Sequence, residues 1–271
     1  MKRIVLALAA VAAFTAPALA ADMAAKAPMR AAPVAYAPSF TGCYIGGGGG
    51  YGLWNQENTV FIDGPPRIQA LRTTTEGGRG WFGTVQGGCD YQLSAGGFLG
   101  GGGIVLGAFA DYDFADLKGD VGPFPGLIGH EKMSSAWAVG GRIGWVALPS
   151  LLVYFSGGYT EATFDRTDFS SVAFPIQPGG PFAFIDKRTY KGWFLGAGDE
   201  YALSFVPGLF WKTEYRFSEF DVASNPVRLL PGGGLLGDTI DSKKFVHTVR
   251  SELVYRFNWS GVGGPPVAAR Y

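Results

Sequence analysis

The feature that most restricts the fold of this chain is a strict two-residue alternation of side-chain type. In LFWKTEYRF, residues 209–217, apolar or aromatic side chains alternate with charged ones, and KFVHTVRSELVYRF, residues 244–257, repeats the pattern. Successive side chains of a β-strand point to opposite faces, whereas one face of a helix recurs every three or four residues. Both segments are therefore predicted to be strands with one apolar face and one charged face.

The same alternation recurs along the chain and gives eight predicted strands, at residues 41–54, 81–92, 104–116, 137–146, 151–160, 192–203, 209–217 and 244–257. The connections between them alternate in length. Stretches rich in Gly, Pro, Asp and Thr at 55–78, 117–132, 165–190 and 220–243 are long, whereas the turns at 93–98, 147–150 and 204–208 are short. Long loops at one end and short turns at the other are typical of an up-and-down membrane barrel. The sequence thus predicts an all-β fold, an eight-stranded antiparallel up-and-down transmembrane β-barrel over residues 41–257.

The alternation alone does not say which face meets solvent, so a soluble barrel or sandwich with an apolar interior is the alternative. Aromatic residues make up 15% of the chain, and charged residues only 16%. The aromatic residues fall near the ends of the apolar faces, as the interfacial belts of a membrane barrel require. The charged faces mix both signs with Gly, Ser and Thr, which suits a narrow lumen. We therefore expect an outer-membrane location with the apolar face turned to lipid.

The N-terminus has the form of an export signal. Lys2 and Arg3 precede an apolar stretch that is too short to span a bilayer, and Ala18-Leu19-Ala20 supplies small residues for cleavage between Ala20 and Ala21. Residues 1–20 are predicted to be a signal peptide rather than a buried helix. Residues 21–40, rich in Ala and Pro, are predicted to be a periplasmic linker, and residues 258–271 a C-terminal tail.

The net charge gives no reason to expect a nucleic-acid partner. Without Lys2 and Arg3, the 22 basic residues become 20, against 22 acidic ones.

Five consecutive glycines, Gly46 to Gly50, raise the question of a phosphate-binding loop or a flexible linker. A glycine run matches the pattern G-x-G-x-x-G trivially, so the match is uninformative. Cys43, Ile45 and Tyr51 continue one phase of the alternation through the run, which favours a strand. Inward glycines leave room for neighbouring side chains and let the strand coil as the sheet closes.

Five phrases resemble, in order, the successive strands of the alphaproteobacterial Omp25/Omp31-like outer-membrane proteins: FTGCYIGGGGGYG, ADYDFADLKG, GWFLGAGDEYAL, WKTEYRFSEFD and HTVRSELVYRF. The resemblance covers residues 40–257. It implies an abundant eight-stranded barrel that supports the outer membrane, with solute passage, haem binding or host contact in some members. Two departures stand out: Cys43 occupies a position where an aromatic is common, and NWSGVGGPPVAARY follows Phe257, where members often end.

The partners expected on this basis are outer-membrane lipids, lipopolysaccharide and the barrel-assembly machinery. Peptidoglycan is a further candidate, because Ala21-Asp22 followed by Lys26 and Arg30 looks like the N-termini by which some related barrels are anchored to it. The other interpretation of this segment is a disordered spacer.

The two cysteines, Cys43 and Cys89, lie in the outward phase of the first two predicted strands. Their midpoint falls in the first long loop, so they are expected to face each other across an antiparallel pair, at a distance that a disulfide tolerates. The periplasm is oxidising, which favours a Cys43–Cys89 bond. The alternative is two lipid-facing free thiols.

The inward phase carries a set of charges: Asp111, Asp113, Arg142, Glu200, Lys212, Glu214, Arg216, Arg250 and Glu252. Such a set suits either a conduction or proton-relay path, or a paired plug that closes the lumen. An eight-stranded barrel is only wide enough to be filled by side chains, which favours the plug.

Nothing in the sequence indicates catalysis or a cofactor. Of the two histidines, His130 is predicted in a loop and His247 on the outward face, and Thr248 follows His247 without the His-x-Ser pair of a lipid A deacylase. Metalloprotease and hydrolase motifs are missing. The sequence therefore predicts a structural, non-catalytic envelope protein with no cofactor, metal or catalytic residues. The alternative is a narrow solute channel or a ligand-binding barrel that uses loops 165–190 and 220–243.

Overall fold

The computed structural model describes residues 38–93, 103–171 and 180–257. The strands in these ranges are β1 (Gly42–Ile62), β2 (Ile68–Gln69), β3 (Thr74–Leu93), β4 (Ile104–Val121), β5 (Leu127–Leu148), β6 (Leu151–Phe164), β7 (Thr167–Ser171), β8 (Ala183–Ile185), β9 (Arg188–Ala202), β10 (Leu209–Phe220), β11 (Ala223–Leu229) and β12 (Leu235–Phe257). The predicted signal peptide, nearly all of the predicted linker and the C-terminal tail lie outside the described residues. Within those residues, no helix is long and apolar enough to cross a membrane.

Eight of the strands form a closed antiparallel ring in the order β1, β3, β4, β5, β6, β9, β10 and β12. The last strand returns to the first, from Cys43 opposite Phe257 to Ile62 opposite Asp238. The predicted eight-stranded antiparallel barrel is therefore confirmed. The short β5–β6 and β9–β10 turns share one end of the barrel with the start of β1 and the end of β12, and short turns mark the periplasmic end.

The stagger of the ring follows from the pairing register. Starting at Leu53 of β1, each residue is paired with one on the next strand of the ring. The successive partners are Leu53, His247, Phe217, Leu195, Gly157, Gly141, Ala108, Cys89 and Cys43. The path returns to β1 at Cys43, ten residues before Leu53. For eight strands this stagger corresponds to a strand tilt of about 40°.

Outward aromatic side chains form two belts, and β3 shows their spacing. Trp81 is 71% exposed at the upper belt, and Tyr91 is 62% exposed at the lower belt. Ten residues of strand tilted by about 40° rise by about 25 Å, the height of the apolar band of a membrane barrel. We call the part of the barrel between these belts the membrane zone.

The strands continue well above the upper belt, and here the predicted loops were too long. β4 runs to Val121 and β5 begins at Leu127, so most of the predicted loop 117–132, including His130, is strand. On the other side of the ring, β7, β8 and β11 continue β6, β9 and β10 and pair in the series β5–β7–β8–β11–β12. Backbone pairing therefore persists beyond the lipid, and we call this part the upper zone.

The upper zone encloses an apolar core. Its buried members include Trp54, Val60, Leu117, Val121, Met133, Phe164, Phe169, Val227 and Ile240. Within it, the rings of Trp54 and Phe164 lie 5.7 Å apart. A second buried cluster, which includes Tyr44, Phe109, Phe194 and Phe210, fills the space between charged side chains lower in the barrel.

The glycine run lies in β1, which confirms that it is a strand. A Cβ on inward Gly48 would lie 2.1 Å from the Ser251 carbonyl oxygen, and one on Gly50 would lie 2.2 Å from the Val249 carbonyl oxygen. On the outward Gly47, an added Cβ would meet its nearest atom at 3.5 Å. The inward glycines thus permit a close approach of β1 to β12, where the sheet closes.

Candidate functional site: the charged lumen

Among the described residues, inward positions of six strands carry thirteen buried charged side chains. The carboxylates are Asp90, Asp111, Asp113, Glu131, Glu200, Glu214 and Glu252, and the cations are Arg142, Lys212, Arg216, Lys244, Arg250 and Arg256. Each of these residues is no more than 6% exposed. All nine charges expected in the lumen from the sequence are among them, and they belong to two connected clusters.

The lower cluster joins two arginines to two carboxylates at the periplasmic end. Arg142 Nε donates to Asp90 Oδ1 at 2.9 Å, and its Nη2 lies 3.0 Å from Glu200 Oε2. Arg256 Nη1 donates to Asp90 Oδ2 at 2.6 Å, and its Nε donates to Glu200 Oε1 at 3.0 Å. With two cations and two anions, this cluster has no net charge.

Phe40 closes the bottom of the lower cluster. It is fully buried, its ring lies 5.4 Å from that of Phe210, and its carbonyl oxygen accepts a hydrogen bond of 2.9 Å from Arg256 Nη1. The last residue of the predicted linker therefore occupies the interior of the barrel mouth.

The middle cluster begins at Lys212, which binds three neighbours. Its Nζ donates to Gln86 Oε1 at 2.8 Å and lies 3.5 Å from Glu214 Oε2 and 3.4 Å from Glu252 Oε2. The Tyr154 hydroxyl donates to Glu214 Oε2 at 2.8 Å. The chain of polar contacts thus spans β3, β6, β10 and β12.

The middle cluster continues upward through two arginines. Arg216 donates from Nη1 and Nη2 to the two oxygens of Asp111 at 3.1 and 2.8 Å, a bidentate pairing. Arg250 Nη2 donates to Asp113 Oδ2 at 3.0 Å. Three cations face four carboxylates in this cluster, so the two signs nearly balance in the centre of the membrane zone.

A separate pair lies above the middle cluster. Lys244 Nζ donates to Glu131 Oε1 at 2.7 Å and sits 4.0 Å from the centre of the Phe164 ring. This ion pair therefore lies within the upper apolar core, with Val246 below Lys244 and Ile240 above it on β12.

Little empty space remains beside the middle cluster. A cavity of about 20 Å³ is bordered by Asp111, Asp113, Arg216, Thr248 and Arg250. Such a volume is sized for a single water molecule, not for a solute.

Four of the thirteen lumen charges were absent from the predicted set: Asp90, Glu131, Lys244 and Arg256. Lys244 and Arg256 occupy the inward phase of 244–257, and Asp90 follows the outward Cys89, so strict alternation identifies all three. Glu131 lies in the segment 117–132, which was predicted to be a loop from its composition. Without a predicted strand, alternation could not assign its side chain to the inward or the outward face.

The predicted disulfide is present between Cys43 and Cys89. The two residues lie directly opposite each other in the β1–β3 register. The bond therefore joins the first two strands of the ring near the periplasmic end.

The two histidines lie on the outside of the barrel. His130 is in β5, not in a loop, and its Nδ1 lies 2.5 Å from Asp120 Oδ1. His247 shares a hydrogen bond of 2.7 Å with the Tyr215 hydroxyl, and its ring lies 5.0 Å from that of Phe217. Among the described residues, no group of three or more His, Cys, Asp or Glu is placed to hold a metal ion.

Comparison with known proteins places the barrel among outer-membrane proteins. No family model matches the chain. The 31 kDa outer-membrane immunogenic proteins of Brucella melitensis biotype 1 and Brucella suis biovar 1 are each 32% identical to it over 273 residues, which cover 95% of this chain and 100% of each relative. The crystal structure of OprG from Pseudomonas aeruginosa superposes with a TM-score of 0.51 at 10% identity, covering 81% of this chain and 99% of OprG.

The OprG superposition supports the fold alone, whereas the Brucella relatives extend over the full length of the barrel. The charged lumen, the two aromatic belts and the closed eight-stranded ring agree with an outer-membrane location. The chain belongs to the Omp25/Omp31-like family of outer-membrane β-barrel proteins.

Proposed function

We propose that this protein is a structural, non-catalytic β-barrel that supports the integrity of the outer membrane and does not conduct solutes. The observation that carries the proposal is the pairing of the lumen charges. The lower cluster is held by contacts of 2.6 to 3.0 Å, and its side chains are no more than 1% exposed. An ion or solute would have to break these pairs in order to pass.

Two further features oppose conduction. Above the middle cluster, a path through the lumen would cross the upper apolar core, in which the Lys244–Glu131 pair and the hydrogen-bonded Asn58 and Ser242 are buried among apolar side chains. The cavity beside Asp113 and Arg250, at about 20 Å³, is far below the volume of a nutrient molecule. Both features suit a barrel that serves as a closed, rigid element of the envelope.

Electrical recording in planar bilayers tests the sealed lumen. The folded protein is expected to give no stable conductance steps, while a known porin inserted under the same conditions supplies the positive control. Stable steps that disappear in Arg216→Gln would contradict the proposal and favour the narrow channel. In cells, deletion of the gene is expected to raise detergent sensitivity, and the wild-type gene is expected to restore resistance.

Attachment of the N-terminal linker to peptidoglycan is part of this proposal. β1 begins at Gly42 at the same end of the barrel as the short turns, which supports a periplasmic location for the linker that precedes it. Mass spectrometry of muropeptides released by lysozyme is expected to find fragments that carry the N-terminus at Ala21. Muropeptides that never carry this peptide would remove the anchoring role and leave the sealed barrel untouched.

A further inference from the structure

Three cations stand side by side on the outer surface of the upper zone. Arg79 of β3 is directly opposite Lys118 of β4, and Lys118 is directly opposite Lys132 of β5. All three occupy outward positions of their strands. Like charges directly opposite each other destabilise a sheet, so this arrangement requires a source of negative charge. We call these three residues the basic row.

Within the part of the chain that the structure describes, one carboxylate is in ion-pair contact with the basic row. Asp116 Oδ1 lies 2.9 Å from Lys118 Nζ and 2.9 Å from Lys132 Nζ. Arg79 has no carboxylate partner among the described residues, so the row retains an excess of two positive charges.

Two other outward cations of the upper zone each have a carboxylate close by. Lys243 Nζ is 2.7 Å from Glu219 Oε1. Arg67 Nη2 is 2.8 Å from Asp241 Oδ1. The basic row on β3, β4 and β5 differs from these positions, because its three cations share one carboxylate.

The height of the basic row places it at the lipid headgroups. Arg79 is two residues above Trp81 on the same face of β3, and Lys118 is four residues above Phe114, which is 61% exposed. Aromatic belts lie at the headgroup level of a bilayer. Immediately above the row, a hollow of about 370 Å³ separates Lys118 and Lys132 from the Asp120–His130 pair.

We propose that the basic row binds a phosphate group carried by a lipopolysaccharide molecule of the outer leaflet. Arginine and lysine form strong charge-assisted hydrogen bonds with phosphate oxygens, and the excess of two charges matches a phosphate. The acyl chains of the same molecule would lie against the outward apolar side chains directly below, beginning with Trp81 and Phe114. The combination of cations above and exposed aromatic groups below selects a phosphorylated lipid over free phosphate.

The test uses the full barrel folded in a zwitterionic detergent, with bisphosphorylated lipid A as the probe. Native mass spectrometry counts the retained lipid for the wild type and for the combined variant Arg79→Gln, Lys118→Gln, Lys132→Gln. The variant is expected to lose affinity on the order of tenfold or more, which corresponds to the loss of about one charge-assisted contact or more. Lys243→Gln, which neutralises the surface cation paired with Glu219, is the matched control and is expected to bind as the wild type does.

A second variant tests the proposal even if the triple substitution prevents folding. Asp116→Asn releases Lys118 and Lys132 from their internal partner, so it is expected to bind lipid A more tightly than the wild type. Dephosphorylated lipid A is expected to bind weakly to every form, and millimolar inorganic phosphate is expected not to displace the lipid. Equal retention of dephosphorylated lipid, displacement by inorganic phosphate, or unchanged binding by both variants would each overturn the proposal.

Discussion

The membrane zone and the upper zone are built from the same strands, yet they distribute side chains in opposite ways. In β12, Phe245, Val249 and Leu253 face outward in the membrane zone, whereas Asp241 and Lys243 face outward above it. The inward face changes in the reverse sense, with charged side chains at Arg250 and Glu252 and the apolar Ile240 higher up. The period of two is constant along the strand, so only the medium that surrounds the barrel explains the inversion.

The two zones are therefore stabilised by different interactions. The upper zone resembles a soluble barrel, because water surrounds it and burial of apolar groups such as Leu117 and Phe164 stabilises it. In the membrane zone, apolar side chains contact lipid on the outside of the barrel. Burying them in the lumen would therefore gain little free energy from the hydrophobic effect. There, backbone pairing and buried ion pairs hold the lumen together.

The largest effect is expected from breaking the lower cluster with Arg256→Met. Asp90 and Glu200 would lose a buried partner, and removing one member of a buried ion pair costs about 3 to 5 kcal/mol. Urea unfolding of the barrel in lipid vesicles measures the free energy. Arg67→Met breaks an exposed pair in the upper zone and is the control, with an expected cost of about 1 kcal/mol or less. Equal costs for the two variants would show that the lumen pairs are not what stabilises the membrane zone.

A smaller effect is expected from placing one arginine at two heights on the outer face of β3. Val85 is 50% exposed between the two belts, and Thr75 lies on the same face above them. Val85→Arg is expected to cost about 2 to 4 kcal/mol, because it puts a charge against the middle of the hydrocarbon. Thr75→Arg faces water and is expected to be within about 0.5 kcal/mol of the wild type. The same unfolding assay measures both, and similar values would mean that the two zones do not meet different media.

The smallest effect is a pH dependence confined to the upper zone. Hydrogen bonds from Arg67 lower the pKa of Asp241 from its ordinary value of 3.8. The folded state therefore binds this proton less readily than the unfolded state, so the pair stabilises the fold fully above about pH 4 and loses that contribution as the pH falls further. The protection factors for hydrogen exchange at the β1–β12 end near Asp241, relative to the intrinsic rate at each pH, are expected to fall below pH 4 in the wild type. In Arg67→Met this acid dependence should be weaker, and an unchanged acid dependence would contradict the assignment.

Strand alternation, together with loop lengths and the positions of aromatic residues, was sufficient to predict the ring and most of the lumen. Lys212, Glu214 and Arg216 alternate with Trp211, Thr213 and Tyr215, which puts the three charges on one face, and the aromatic residues of the other face identify it as the outward one. The Cys43–Cys89 bond was predicted in a similar way. The sequence midpoint between the two cysteines falls in the first long loop, so they are expected to lie opposite each other on the two strands that this loop connects. Local pattern and simple geometry decide these features.

The upper zone was not predictable in the same way. The strands β7, β8 and β11 have five, three and seven residues, and they are held by partners that are distant in sequence. Their composition is that of loops, and only the existing barrel rim supplies the backbone partners that order them. The burial of Phe40 likewise depends on Phe210 and Arg256, which are remote from it in the chain.

The meeting of the first and last strands has a consequence for biogenesis. Because β12, which ends at Phe257, pairs with β1, which begins at Gly42, the barrel cannot close until β12 has reached the membrane. Before closure, the two edge strands of the open sheet have unpaired backbone amide and carbonyl groups that hydrocarbon cannot solvate. A chain truncated before Leu235 is therefore expected to be degraded by periplasmic proteases instead of inserting into the bilayer.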